Sequence, residues 1–159
     1  MDSSEFANLK NYIFGSTAAV ITSTSLIVGL GSAQAGKVST VGALLTVAIA
    51  DNISDSLGIH MYKEAEGHGT KLSLLATALN FAARLLVSLS FVAIVLASPA
   101  PGSMAIAVAW GLALLTFISY LIARRRRQQP VLEILKHLVV AAAVIVLSRY
   151  ASRLVAEYV

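Results

Sequence analysis

The sequence predicts an all-α, polytopic membrane protein of five transmembrane helices, and three observations predict it. The 159 residues are 57% hydrophobic and only 13% charged, with a mean hydropathy of +0.80. A soluble domain carries roughly a quarter charged residues and about 45–50% apolar ones. The apolar residues gather into five runs, each near the roughly 20 residues a helix needs to cross the hydrocarbon core. The breaks between them, SAQAGKVST, KEAEGHGTK, SPAPGS and RRRRQQP, are short and hold Gly, Pro or charge.

The elements follow in order. The first turn offers Asp2 with Glu5 three residues on, a helix-start signature that predicts an amphipathic turn or two on the surface before span one. Span one is expected over 12–31, span two over 41–62, span three over 72–97, span four over 104–123 and span five over 131–155. No break could hold a folded domain, so residues 1–159 form one transmembrane domain. Lys10, Lys63, Lys71 and Arg124–Arg127 fall on one side if the spans alternate, and Lys37 falls on the other. The positive-inside rule then puts the N-terminus in the cytoplasm and the C-terminus outside. Arg149 and Arg153, near the outer end of span five, reach the interface by snorkelling. The RRRR run reads first as an orientation anchor, and more sharply as a binder of anionic lipid headgroups.

Several classes are set aside. There is no cysteine, hence no disulfide framework and no thiolate metal site. The first residues lack the basic-then-apolar layout of a cleaved signal. The net charge of +4 does not read as nucleic-acid binding, because the basic residues sit at the ends of apolar runs. No catalytic triad, phosphate loop or zinc motif has usable spacing, so no enzyme and no permanent cofactor is expected. Glu133 and His137 are spaced wrongly for a di-iron motif, and Glu133 with Lys136 reads as a local pair. His68 and His137 are expected at the interface.

Chemistry concentrates in span two. Asp51 and Asn52 lie about ten residues in, roughly 15 Å deep at 1.5 Å per residue, near the bilayer centre. One Asp there costs roughly 2.5–3.5 kcal/mol on insertion scales. Asp51, Asp55, Gly58 and Tyr62 share one helical face, Asn52, Ser56 and His60 form the adjoining stripe, and Glu64 and Glu66 extend the wall toward the cytoplasm. Carboxylates, an amide oxygen and an imidazole are the ligand set for a divalent cation such as Fe²⁺ or Mn²⁺, with Asp51, Asp55, Asn52, His60 and Glu64 as candidate ligands. The same groups would serve a proton relay. Span three places Ser73, Thr77, Asn80, Arg84 and Ser88 on one face, with Arg84 near mid-membrane. The short loop makes spans two and three antiparallel neighbours, so Arg84 is expected to pair with Asp51 or Asp55. Gly15, Ala19 and Ser23 make a small-residue packing stripe on span one, and Met61 reads as filler at a helix end.

Three stretches resemble the vacuolar iron transporter family. YIFGSTAAVITS (12–23) looks like its first-span Phe-Gly-x-Asn-Asp-Gly-x-x-Thr motif, GALLTVAIADNISDSLG (42–58) like its second-span Ala-Asp-Gly-x-Ser-Met-Gly-x-Gly motif, and LEILKHLVVAAAVIVLSRY (132–150) is similar to its last span. The departures are specific. The family's first-span Asp and Gly fall on Ala18 and Ala19, its second-span Met on Asp55, and its later acidic residue on Ile59. Only Asp51 and Ser54 match among the polar positions of span two. The Glu-rich metal-collecting region is reduced to KEAEGHGTK, and Arg84 lies outside the pattern. The resemblance implies a homodimer with its pathway along spans one and two of both subunits. It implies export of Fe²⁺ or Mn²⁺ from the cytoplasm in exchange for protons, across a prokaryotic inner membrane or an organelle membrane. The alternative is a non-transporting structural or accessory subunit on the same scaffold, held in a larger membrane complex, with an Asp–Arg pair inside the membrane.

Overall fold

The computed structural model describes residues 3–67, 69–99 and 102–158, with side chains from Tyr12 onward. The chain is built of five helices: α1 (Ser3–Ser32), α2 (Lys37–Ala65), α3 (Thr70–Ala97), α4 (Ser103–Arg125) and α5 (Pro130–Tyr158). α1, α3, α4 and α5 are each long and apolar enough to cross a membrane. α2 is as long as they are but carries Asp51, Asp55, Lys63 and Glu64.

The helices overrun the expected spans at nearly every end. α1 is continuous from Ser3, so the expected surface turn is the beginning of the same helix. Nothing between Glu5 and Tyr12 is a Gly or Pro that would break it. Asp2, the side chains of Glu5 and Lys10, and His68 lie outside the described residues. α2 ends on Gly67 at φ +76, where glycine is free to adopt the left-handed conformation. The same turn closes α1 and α4 without glycine. Gln34 (φ 56) and Arg127 (φ 54) occupy the left-handed position. The following residues close the motif, Ala35 N–H to Leu30 O at 2.9 Å and Gln128 N–H to Ala123 O at 3.0 Å. Pro130 opens α5 at the first helical position, where its missing N–H has no partner to lose.

α1 is the hub and touches every other helix. α3 packs on α2, α1 and α4, whereas among the described residues α2 touches only α3 and α1, and α5 touches only α1 and α4. The apolar core runs through Val20, Ile27, Leu44, Phe91, Val95, Ala107 and Leu115. Its helices approach closely through small residues. A Cβ on Gly111 would collide with Thr24 and stand 3.2 Å from the Phe91 ring. The Gly15–Ala19–Ser23 stripe is buried inside the chain, with Gly15 against α3. Hydroxyls tie helices across the bundle, Ser25 Oγ to Ser148 Oγ at 2.5 Å and Trp110 Nε1 donating to Ser90 Oγ at 3.0 Å. α3 is patterned for lipid: Ser73, Asn80, Arg84 and Ser88 are buried, while Leu72, Leu74, Leu75, Leu86, Leu89 and Leu96 are exposed.

A midpoint cluster between α2 and α3

Asp51 stands at the midpoint of α2 and Arg84 near the midpoint of α3. Only four residues separate the end of α2 from the start of α3, the two helices run antiparallel, and the two positions meet. Lys37 fixes the register at the far end. Its Nζ donates to the carbonyls of Leu96 (2.6 Å) and Ser98 (3.1 Å), capping the negative C-terminus of α3 with a cation from the first turn of α2.

Arg84 is buried, at 3% exposure, and ion-paired to both carboxylates, Nη2 with Asp51 and Nη1 with Asp55. The Asp51 arm is also a hydrogen bond. Asp55 meets Nη1 directly as an ion pair. Nε donates to Asn52 Oδ1 at 3.0 Å. Below it, Asn80 Nδ2 donates to Ser56 Oγ at 3.4 Å. Gly15 lets α1 close this cluster from behind. A Cβ there would stand 2.6 Å from Asn80 Oδ1, 2.8 Å from the Asn80 carbonyl and 3.1 Å from Arg84 Cγ.

The expected ligands therefore divide. Asp51, Asp55 and Asn52 converge, and they converge on Arg84. Asn52 and Ser56 face α3 and are buried, while Asp51 and Asp55 lie on the flank of α2 with 39% and 36% of their side chains exposed. His60 and Glu64 stay apart. They pair with each other, His60 Nε2 to Glu64 Oε1 at 3.3 Å. Glu64 lies nine positions on from Asp55, roughly 13.5 Å along the helix. Tyr62 and Lys63 both engage Glu66, at 2.6 and 2.8 Å, so that carboxylate is held locally. Among the described residues no three of His, Cys, Asp and Glu come together in a way that would hold a metal ion. Summed as ionised groups, two carboxylates and one guanidinium leave the cluster one negative charge in excess.

Two contributors were not read from the sequence. Lys37 reads as an orientation charge until its carbonyl partners on α3 are seen. Gly15 reads as general packing until Asn80 and Arg84 are placed against it. At the other side of α1, Ser119 Oγ meets His137 Nδ1 at 2.8 Å, and Lys136 Nζ meets Glu133 Oε1 at 2.8 Å as its spacing predicts. Met61 is exposed and touches none of this. Set beside known proteins, the chain matches no family model, no curated protein and no solved structure.

Proposed function

We propose that this chain is a five-span integral membrane subunit that does not itself carry a metal ion, a scaffold whose cation position is filled by its own arginine. On this reading α2 crosses the bilayer with the other four helices. The Arg-rich end and the N-terminus face the cytoplasm, and the C-terminus lies outside. The observation that carries the reading is Arg84, buried and engaged with Asp51, Asp55 and Asn52 together. A divalent ion between the two carboxylates would meet a guanidinium that is covalently tethered and cannot leave. At 4 Å and an effective dielectric of 20 that repulsion is roughly 8 kcal/mol, which cancels about half of the attraction that the two carboxylates would supply at the same distance.

A scaffold acts by docking, and the outward side of α2 suits that role. Gly42, Thr46, Ala50, Ser54 and Gly58 recur at four-residue steps and are all exposed. The space over Gly42 and Gly58 is open. The hydroxyls of Thr46 and Ser54 turn back onto Gly42 O and Ala50 O at 2.9 Å each. Such a face supports close contact with another transmembrane helix, α2 of a second copy or a helix of a larger complex.

One observation favours a second reading, export of Fe²⁺ or Mn²⁺ in exchange for protons. Asp51 and Asp55 remain more than one third exposed beside that open face. A second copy there would gather four carboxylates against two guanidiniums. The deciding experiment is Mn²⁺ and Fe²⁺ uptake into proteoliposomes under a pH gradient, with protein verified as folded. The scaffold reading expects flux no faster than in empty vesicles. Flux that Asp51→Asn abolishes would overturn it and establish transport.

A further inference from the structure

A second feature lies on the far side of α1 from the charge cluster. At the Arg-rich end, residues of α1, α4 and α5 line an open crevice of about 870 Å³. Its walls are mostly apolar, from Phe14, Ala18, Ile21 and Ile122 with Thr17 and Thr22 among them, and Arg125 and Arg126 line its Arg-rich end. Phe14 to Ile21 spans roughly 10 Å of helix, so the slot is deep as well as greasy. A cavity of this size falls within the roughly 300–1,000 Å³ of ligand pockets.

Among the described residues, the charged side chains around the mouth are mostly basic. Arg124 to Arg127 are consecutive. Glu133, also on the lining, is held by Lys136 at 2.8 Å. His137 has its Nδ1 engaged by Ser119 Oγ. The carbonyls that would make the end of α4 negative are taken up by N–H groups of Arg126, Arg127 and Gln128. α5 begins beside them at Pro130 and presents the positive end of its dipole. Arg127 holds φ 54, a conformation glycine adopts without strain. The chain thus keeps a fourth cation where a neutral residue would be easier to build.

We infer that this crevice is a binding site for an anionic phospholipid, with the acyl chain along α1 and the phosphate headgroup on Arg125 and Arg126. A slot of this form matches an amphiphile, and basic pockets between transmembrane helices are a recurring way of holding such headgroups. The inference requires only that the helices lie in a bilayer. It is independent of whether Asp51 and Asp55 ever meet a metal.

The test is a lipid titration of the full chain in neutral detergent, read by native mass spectrometry and by the shift in Tm. Dioleoyl phosphatidylglycerol is compared with dioleoyl phosphatidylcholine and with glycerol phosphate, the headgroup alone. The expected result is at least tenfold tighter binding of phosphatidylglycerol than of either control, weakening as salt rises. Arg125→Gln with Arg126→Gln should weaken it about 25-fold, about fivefold for each Arg. Arg149→Gln with Arg153→Gln, at the other end of the bundle, should leave it unchanged. Should the mouth variant fail to fold, Ala18→Trp fills the slot without touching charge and should abolish binding. Equal affinity for the two lipids overturns the inference. So does equal loss in the Arg149/Arg153 variant, retention of binding in Ala18→Trp, or glycerol phosphate binding as tightly as the lipid.

Discussion

Arg84 ties α3 to α2 through three side chains at once. With the guanidinium removed, Asp51 and Asp55 face each other uncompensated one helical turn apart. Arg84→Met should destabilise the protein by about 3–5 kcal/mol, the range for breaking a buried ion pair. Adding Asp51→Asn and Asp55→Asn to it should recover most of that loss, and denaturant unfolding in detergent checks both. Gly15 is the second such position. Gly15→Val would drive a branched side chain into Asn80 and Arg84, lowering stability by about 1–3 kcal/mol as overpacking does. Most of the α2–α3 polar face was legible, because helical periodicity alone puts Asn52 with Ser56 and Asn80 with Arg84. An Asp–Arg pair followed from the short loop. That one guanidinium would engage both carboxylates did not follow. It depends on Asp51 and Asp55 straddling the arginine so that each takes one arm of its fork, and sequence spacing does not fix that rotation.

For single elements, hydropathy located the apolar spans, and α1's span of Tyr12–Ser32 falls within a residue of the expected 12–31, while the helices themselves run on beyond the spans. The expected first span of 12–31 is a helix of Ser3–Ser32, because intrahelical hydrogen bonds continue past the point where side chains stop being apolar. The helix ends hold the next predictions. Arg127 and Gln34 occupy left-handed positions, and Arg127→Gly should raise stability by about 0.5–1 kcal/mol, read as a higher Tm. Removing the Lys37 cap should act the opposite way. Lys37→Ala leaves the Leu96 and Ser98 carbonyls without their cation and should cost about 1 kcal/mol. Faster amide exchange confined to the last turn of α3 would locate that loss. These ends were not readable beforehand, since the partner of Lys37 lies 59 and 61 residues away.

As a whole the molecule is an asymmetric bundle, with α2 at one edge packed on α3 and α1, and α5 at the other packed on α1 and α4. The absence of native cysteine makes its arrangement directly measurable. On the docking proposal, a lone cysteine at Ala50 should crosslink between copies under mild oxidation, and one at Leu86 on the leucine-rich face of α3 should not. The edge position of α2 also has a consequence for how the chain is made. α2 is the one helix outside the long apolar candidate spans, it carries two carboxylates near its middle, and its counter-charge lies 33 residues downstream of Asp51. At ribosomal rates of about 5–20 residues per second, Arg84 is synthesised roughly 2–7 s after Asp51. If α2 crosses the bilayer, it must wait at the translocation machinery and partition together with α3 as a hairpin. Nascent chains ending before α3 should therefore leave α2 in water, and the order of synthesis becomes part of what the Asp–Arg cluster encodes.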